Sequence, residues 1–517
     1  MFDKPMGGTE LMYEELMSRL PQVYKDKFSI FNYPSQKDSN KTTIYWNQLS
    51  YDQSAVQFLS DPKEVEAIDH FVFVSHWQAE AFRKMYNIPG YKTHVIKNAC
   101  IGVGKNIARK NITKLCYTST PWRGLDVLIE VWKILQPADC ELHVFSSCKI
   151  YGEEFAKEDA TYEHLYQECM TTPGIVYRGS VPNDQLRSEL TKFDILAYPN
   201  TFEETSCIAV IEALSAGLRV VTSSLGALPE TTEGWANIYS FLADKQRHAI
   251  KFAEVLKDEI ELLKRGKLND ILATQAQNYG NKWSWNVRIN DWTKLLNNII
   301  IEQEGFKLKN TWDNTIFTSC FIENEYEIGE LKEDDIVIDL GTHIGSFSRI
   351  CYSKGSRKIY GYEVDKTNFD VYQQNAKEGM TSYNKAVWRS DIDVTTLKFD
   401  TNIVDYNTGM GTIFGSDGIE VECVKLDDVL AEFESVRLVK IDVEGSEYPI
   451  LYTSKQLHKV KEIVGEFHED RCYDIYNDYR PDRRGLTVFL EDQGFEVIKM
   501  EESSWSKTCG NFRAIKK

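Results

Sequence analysis

Short β-rich apolar runs separated by helix-like stretches occur in two series along the chain, and no other feature limits its fold so tightly. "HFVFVS", "THVI", "KLCYTS", "ELHVFS", "DILAYP" and "LRVVTS" make the first series, with stretches such as "GLDVLIEVWKIL" between them. "DDIVIDL", "KIYGYEV", "VRLVKIDV" and "EIVGEF" make the second, after residue 334. A strand buried on both faces reads as a continuous apolar run, and joining it to a parallel neighbour takes a crossover helix. The alternation therefore predicts an α/β fold with parallel sheets covered on both faces. Between the series lies "IIIEQEGFKLKNTWDN", mixed in charge and without period, which puts the main boundary near residue 312. At ~150 residues per domain, 517 residues predict about three domains.

Charge and composition narrow the partners. Sixty Lys and Arg against 78 Asp and Glu give a net charge of -18, which repels nucleic acid and anionic lipid over most of the surface. No basic, aromatic-rich stretch is present, so no nucleic-acid partner is expected. No apolar run is long enough to span a bilayer, and "MFDKPMGGTELMYEEL" lacks the pattern of a secretion signal, so the expected location is the cytoplasm. The 11 cysteines are scattered singly without a Cys-x-x-Cys pair, which predicts reduced thiols rather than a zinc site or a disulfide framework.

The first series holds an unusual pair of acids. In "ILAYPNTFEETSCIAVIEALSAG" a buried strand ends at Pro199 and a helix is stopped by Gly217. Thr205 and Ser206 then fall where an N-cap belongs, Glu204 lies in the loop before the helix, and Glu212 lies roughly two turns inside it. A helix N-terminus attracts phosphate through its free N–H groups and its dipole. Carboxylates on either side fit that environment if they bind hydroxyls flanking a diphosphate. A nucleotide-sugar has this layout, with sugar, diphosphate and ribose in series.

On these residues the chain resembles the retaining GT-B glycosyltransferases that carry an E-x7-E motif. "VYRGSVPNDQLRSELTKFDILAYPNTFEETSCIAVIEALSAGLRVVTSSLGALPE" follows the pattern of their donor-binding half, and "YTSTPWRGLDVLIEVW" looks like the phosphate-contacting segment that opens it. "FVFVSHWQAEAF" and "VIKN" look like the end of the acceptor-side domain, and "MGGTELMYEEL" like its glycine loop and first helix. The resemblance covers roughly residues 1 to 300. It implies that Arg123, Gly7, Gly8, Thr205 and Ser206 contact the diphosphate, and that Glu204 and Glu212 hold the donor sugar and the ribose. It also implies that Arg123 and Glu204 serve retaining transfer without need of a metal. Thr205, Ser206 and Cys207 stand where many relatives have glycines, a second basic residue near Thr118 is missing, and only six residues precede Gly7. The acceptor-side domain is accordingly expected to be shortened.

The second series suits a different ligand. "DDIVIDLGTHIGSFSRI" places Asp339, Gly341 and Gly345 where a strand turns into a helix, without the dinucleotide spacing G-x-G-x-x-G. "KIYGYEVD" ends a second strand at Glu363 and Asp365, in the position for ribose hydroxyls. S-adenosylmethionine has a ribose to grip and no pyrophosphate. In "VRLVKIDVEGSEYPIL" the strand period puts Lys440 and Asp442 on one side, with Glu444 just past the strand end. "EIVGEFHED" carries Glu466 and His468 to the end of another strand. "DLGTHIGSFS", "GYEVD", "VKLDDVL", "KIDVEGSEYPIL" and "EFH" together resemble FkbM-type methyltransferases over roughly residues 315 to 517. Such enzymes O-methylate hydroxyls of sugars or small natural products. The resemblance implies that Asp339, Gly341, Gly345, Glu363 and Asp365 contact S-adenosylmethionine. His468 is a candidate general base or a structural histidine, and Asp442 and Glu444 are further catalytic candidates. Asp442, Glu444 and Glu466 are alternatively candidates for a divalent cation, although no metal is expected.

The resulting expectation is an α/β chain with a GT-B pair of Rossmann-like domains and a Rossmann-like methyltransferase domain. Residues 1–100 are a shortened acceptor-side domain, 101–300 the donor domain with a last helix returning to the first, 301–314 a linker, and 315–517 the methyltransferase. Its expected partners are a nucleotide-sugar, S-adenosylmethionine and a glycan or glycoconjugate acceptor. Two rivals stand beside a bifunctional enzyme: a methyltransferase whose first half only docks glycans, and an enzyme that modifies nucleic-acid bases.

Overall fold

The computed structural model describes residues 7–102, 112–151, 155, 157–266, 269–400, 411, 413, 418–472, 479–503 and 506–517. The chain divides into two compact units, Met1–Leu295 and Leu296–Lys517. Every apolar run quoted above contains a strand.

The first unit holds two parallel sheets. One has four strands in spatial order Phe28–Phe31, Thr42–Asn47, His70–Phe73 and Thr93–Val95. The other has six, in the order Asn237–Tyr239, Arg219–Ser223, Ile195–Tyr198, Thr113–Tyr117, Cys140–Val144 and Ile175–Tyr177. Leu115, Tyr117, Leu142, Leu196 and Val220 form the middle of its core, closed off by Leu125, Leu128 and Val210 of the covering helices. The helix Trp285–Glu304 reaches the smaller sheet, where Trp292 meets Trp46 edge-on at 5.1 Å between ring centres.

The second unit is built on a seven-stranded sheet. Its order is Met380–Tyr383, Lys358–Tyr362, Ile336–Leu340, Leu438–Ile441, Glu462–His468, Cys509–Lys516 and Phe495–Glu502. The first five strands are parallel and the last two antiparallel. The segment 301–314, expected as a linker, contains the end of the helix Trp285–Glu304 and the start of the helix Thr311–Phe317. Its charges are divided: Glu302 and Glu304 lie on the last turn of the first helix, Lys307 and Lys309 between the helices, and Asp313 is buried and accepts the Lys309 and Asn310 N–H groups. Ile299, Ile300 and Ile301 are buried, and Asn310 caps the next helix by accepting the Trp312 and Asp313 N–H groups.

Each large sheet has a place where successive crossovers leave in opposite directions, so that two neighbouring strands leave a crevice at their carboxyl ends. In the first unit those strands are Thr113–Tyr117 and Ile195–Tyr198. In the second they are Ile336–Leu340 and Leu438–Ile441. The motifs singled out in the sequence lie at these ends. Among the described residues no helix is long and apolar enough to cross a membrane.

Candidate functional site

At the first crevice the strand Thr113–Tyr117 leads into the single helical turn Pro121–Arg123 and then Gly124, at φ 106°. A Cβ on Gly124 would lie 2.2 Å from the Pro199 carbonyl oxygen, so only glycine lets this loop close on the one after Ile195–Tyr198. The closure brings Arg123 Nη1 to 2.9 Å from Glu204 Oε1, with the guanidinium 4.5 Å from the centre of the Phe202 ring. The Tyr198 hydroxyl donates to the same Glu204 oxygen at 2.5 Å. The late "GALPE" turn supports the loop from behind: Ala227 N–H donates to the Glu204 carbonyl at 2.7 Å.

Two helices point their N-termini at this place. Cys207, not Thr205 or Ser206, occupies the N-cap of Ile208–Ser215, and its side chain caps nothing. The Thr205 hydroxyl is drawn away to the Gln48 carbonyl at 2.8 Å, beyond the end of a strand of the smaller sheet. Ser206 Oγ is buried with no hydrogen-bond partner among the described residues. The helix Gly8–Arg19 starts from Gly7, also without a side-chain cap. A Cβ on Gly8 would lie 2.9 Å from Ile208 Cδ1, so the two N-termini abut. Gly8, Arg123, Glu204, Thr205, Ser206 and Glu212 line one cleft of about 730 Å³. The N–H groups of both first turns and the Arg123 guanidinium make it attractive to an anion.

Glu212 is the fifth residue of its helix, just over one turn in rather than two. Burial pushes its pKa up to about 7, against the pull of Arg187, whose Nη1 is 3.6 Å from Glu212 Oε1. Arg187 and Tyr198 were not foreseen. Arg187 reaches Glu212 from another helix, Asn183–Leu190, so no sequence spacing links the two. Tyr198 reads in sequence as one more apolar strand residue.

At the second crevice Gly341, at φ 78°, follows the strand Ile336–Leu340. A Cβ there would lie 2.0 Å from the Asp442 carbonyl oxygen, the same close approach as at Gly124. Gly345, at φ 95°, packs under the Tyr372 ring and starts the helix Ser346–Ser353. Glu363 is buried and accepts the His343 and Asp365 N–H groups, each at 2.7 Å; burial pushes its pKa up to about 8. Glu363 thus stands at the carboxyl end of the strand Lys358–Tyr362, tied by the His343 N–H to the glycine loop.

Two expected cofactor contacts are otherwise engaged. Asp339 is 0% exposed. Its carboxylate accepts the Ser348 hydroxyl at 2.7 Å and lies 3.5 Å from Lys440 Nζ, which donates to the Gly341 carbonyl at 2.6 Å. Asp339 thus fixes the glycine loop from below, because its place in the strand period turns it into the core. Asp365 caps the helix Lys366–Asn375, accepting the Thr367 and Asn368 N–H groups at 2.7 and 3.0 Å.

The ends of Leu438–Ile441 and Glu462–His468 gather acids. His468 Nδ1 is 3.1 Å from Glu447 Oε1, and its Nε2 is 3.3 Å from Glu444 Oε2 and 3.7 Å from Glu466 Oε2. Burial lowers the imidazole pKa, but Glu447, Glu444 and Glu466 outweigh it and raise the pKa well above 6.5. The carboxylates around His468 favour its imidazolium form, as befits a histidine built into an ion-pair cluster. Burial pushes Glu444 up to about 7, with His468 opposing, and pushes Glu466 up to about 8, with Asp442 adding to the rise. Glu444 adopts φ 54° and pairs with Arg471. Glu447, absent from the expected site, accepts the Val443 and Gly445 N–H groups at 2.9 and 3.0 Å and so shapes the "VEGSE" turn. Asp442, Glu447 and His468 each offer a ligand atom within 4.8 Å of the others, the one such metal-capable group among the described residues.

Comparison with known proteins agrees with this division. Residues 112–258 match the family Glycosyl transferases group 1, and residues 339–497 match the Methyltransferase FkbM domain. The chain carries both a glycosyltransferase domain and a methyltransferase domain. It is similar to Methyltransferase sdnD of Sordaria araneosa, 26% identical over 229 residues, which is 37% of this chain and 85% of that protein. It is also similar to Hexuronic acid methyltransferase AglP of Haloferax volcanii, 22% identical over 142 residues, 27% of this chain and 58% of that protein. Among solved structures it is similar to a sucrose-phosphate synthase of Thermosynechococcus elongatus at 14% identity and a TM-score of 0.41, covering 57% of this chain and 79% of that one.

Proposed function

We propose that the first unit transfers a sugar from a nucleotide-sugar with retention of configuration, and that the second O-methylates a sugar hydroxyl with S-adenosylmethionine as donor. One observation carries the first half of this reading: two helix N-termini without side-chain caps meet at a cleft beside Arg123, with Glu204 and Glu212 on either side. As a nucleoside diphosphate departs, negative charge grows on it. Arg123 and the free N–H groups are already oriented to stabilise that charge, so the protein itself supplies the positive partners. Glu204, steadied by Tyr198, holds a hydroxyl of the donor sugar, and Glu212 one of the ribose.

In the second unit Gly341, Gly345 and Glu363 would hold S-adenosylmethionine, with Glu363 on the ribose hydroxyls. When bound, that cofactor supplies an electrophilic methyl group. The acceptor hydroxyl must lose a proton as it attacks, and an efficient base has a pKa near the working pH. Glu444 and Glu466, pushed up to about 7 and 8, meet that condition, whereas His468, set between Glu444 and Glu447, orients them.

Thermal unfolding with nucleoside diphosphates, nucleotide-sugars and S-adenosylhomocysteine tests both halves. A ligand at a hundred times its dissociation constant adds ~2.7 kcal/mol to the state it binds. The reading expects one nucleotide to stabilise the wild type and not Arg123→Ala, and S-adenosylhomocysteine to stabilise the wild type and not Glu363→Ala. A response to S-adenosylhomocysteine alone would reduce the first unit to a glycan-docking module.

A further inference from the structure

The first unit carries a second concavity, of about 670 Å³, a size common for ligand pockets. Tyr51, Tyr86 and Tyr91 line it. Tyr86, at the end of the helix His76–Tyr86, is pinned in place: its hydroxyl donates to the Tyr51 carbonyl at 2.5 Å and accepts from Gln57 Nε2 at 3.2 Å. Tyr91 stands on the following turn, Gly90–Lys92, and is 80% exposed. Its ring is thus available to lie against an occupant of the cavity.

The polar groups of the groove narrow the occupant. Asp52, Gln57, Glu66 and Asn87 line it. The lone lysine of the lining, Lys92, directs its ammonium to the carbonyls of Glu66 and Ile68 at 2.9 and 2.8 Å, so that charge serves the fold. Within the lining a phosphorylated or acidic ligand would face Asp52 and Glu66 with no cation but the engaged Lys92. A lipid chain would bury their carboxylates and the Asn87 amide without partners. A sugar ring satisfies both sets of groups, with its C–H face against tyrosine and its hydroxyls toward carboxylate and amide.

The groove adjoins the donor cleft. The Tyr51 hydroxyl donates to Glu203 Oε2 at 3.1 Å, one residue before Glu204. Leu49, Ser50 and Gln53, from the same segment as Tyr51, line the cleft itself. We propose that this groove binds an uncharged oligosaccharide segment of the acceptor, the part next to the sugar that enters the cleft. Its assignment to the acceptor rests on the glycosyl-transfer reading above.

Calorimetric titration of the full chain with neutral gluco-, manno- and chito-oligosaccharides of increasing length tests the groove. At least one series should bind, more tightly as it lengthens. Tyr91→Ala should weaken that binding about tenfold, as loss of an aromatic anchor does, while the nucleotide-induced rise in melting temperature stays unchanged. Failure of every series to bind, or equal binding by wild type and Tyr91→Ala, overturns the groove. Preference for acidic oligosaccharides overturns the uncharged assignment. Tyr91-dependent binding in a chain that no nucleotide stabilises would keep the groove and sink the transfer reading instead.

Discussion

Gly124 and Gly341 meet the same steric demand in two unrelated settings. Each follows a strand beside a crevice, each has positive φ, and a Cβ on either would lie 2.2 or 2.0 Å from a carbonyl oxygen beyond the neighbouring strand, that of Pro199 or Asp442. Beyond that shared turn the two crevices diverge. The first presents Arg123 and two helix N-termini, with Glu204 and Glu212 at the sides. The second presents Asp442, Glu444 and Glu466, while its lysine, Lys440, is buried beneath the loop. A doubly wound sheet thus decides where a ligand sits, and the loop side chains decide the sign of its charge.

The shared turn is open to the harshest test. Gly124→Ala and Gly341→Ala each force a side chain into a backbone oxygen at positive φ, and each should destabilise its own unit by more than about 4 kcal/mol. Scanning calorimetry should show one transition lowered and the other kept; a variant that melts like the wild type would break the parallel. Next in size is Lys440→Met, which leaves the wholly buried Asp339 without its counter-charge and should cost about 3 kcal/mol by urea unfolding. A neutral result would mean that Asp339 is protonated in the fold, consistent with the upward push that burial gives its pKa.

The charge contrast itself is probed by Arg123→Ala. It should weaken nucleoside diphosphate binding about a hundredfold in calorimetric titration, the scale of a lost charge-assisted contact at a transferring phosphate. S-adenosylhomocysteine binding should not move. An equal loss of both ligands would show global damage rather than a specific anion site.

The smallest effect is a pH slope in the second unit. The folded pKa of Glu466, about 8, lies above its unfolded value of 4.5. Between those values the folded state holds the extra proton, so this group's contribution to stability falls as pH rises from about 4.5 to about 8. Glu466→Gln removes the effect and should gain about 1 kcal/mol on the wild type for each pH unit between those limits, read as a difference in melting temperature at two pH values. A difference that does not change with pH would show that Glu466 is not buried among like charges.

Much of this was legible in the chain. Strand positions followed from apolar runs because a strand buried on both faces must be apolar throughout. Arg123, Glu204 and Glu363 could be placed at the crevices because they follow strand ends, where short sequence distance means short spatial distance. What escaped was pairing between elements. Arg187 beside Glu212, Tyr198 on Glu204, and Glu447 with His468 join residues whose proximity depends on how helices and strands pack. The surroundings of His468 escaped for the same reason. An isolated imidazole titrates near neutrality, but here three carboxylates converge on it from neighbouring turns.

Local sequence was enough for the central strands of the two large sheets, the turns that need glycine and the residue types carried to each crevice. These follow from local sterics and from the period of apolar burial, which act over a few residues. Packing settled which acids are desolvated, which hydroxyls are already engaged, and that the Gly8 and Ile208 helices share one cleft. Those properties depend on desolvation and on distances between side chains far apart in the chain, and both are set when the layers pack.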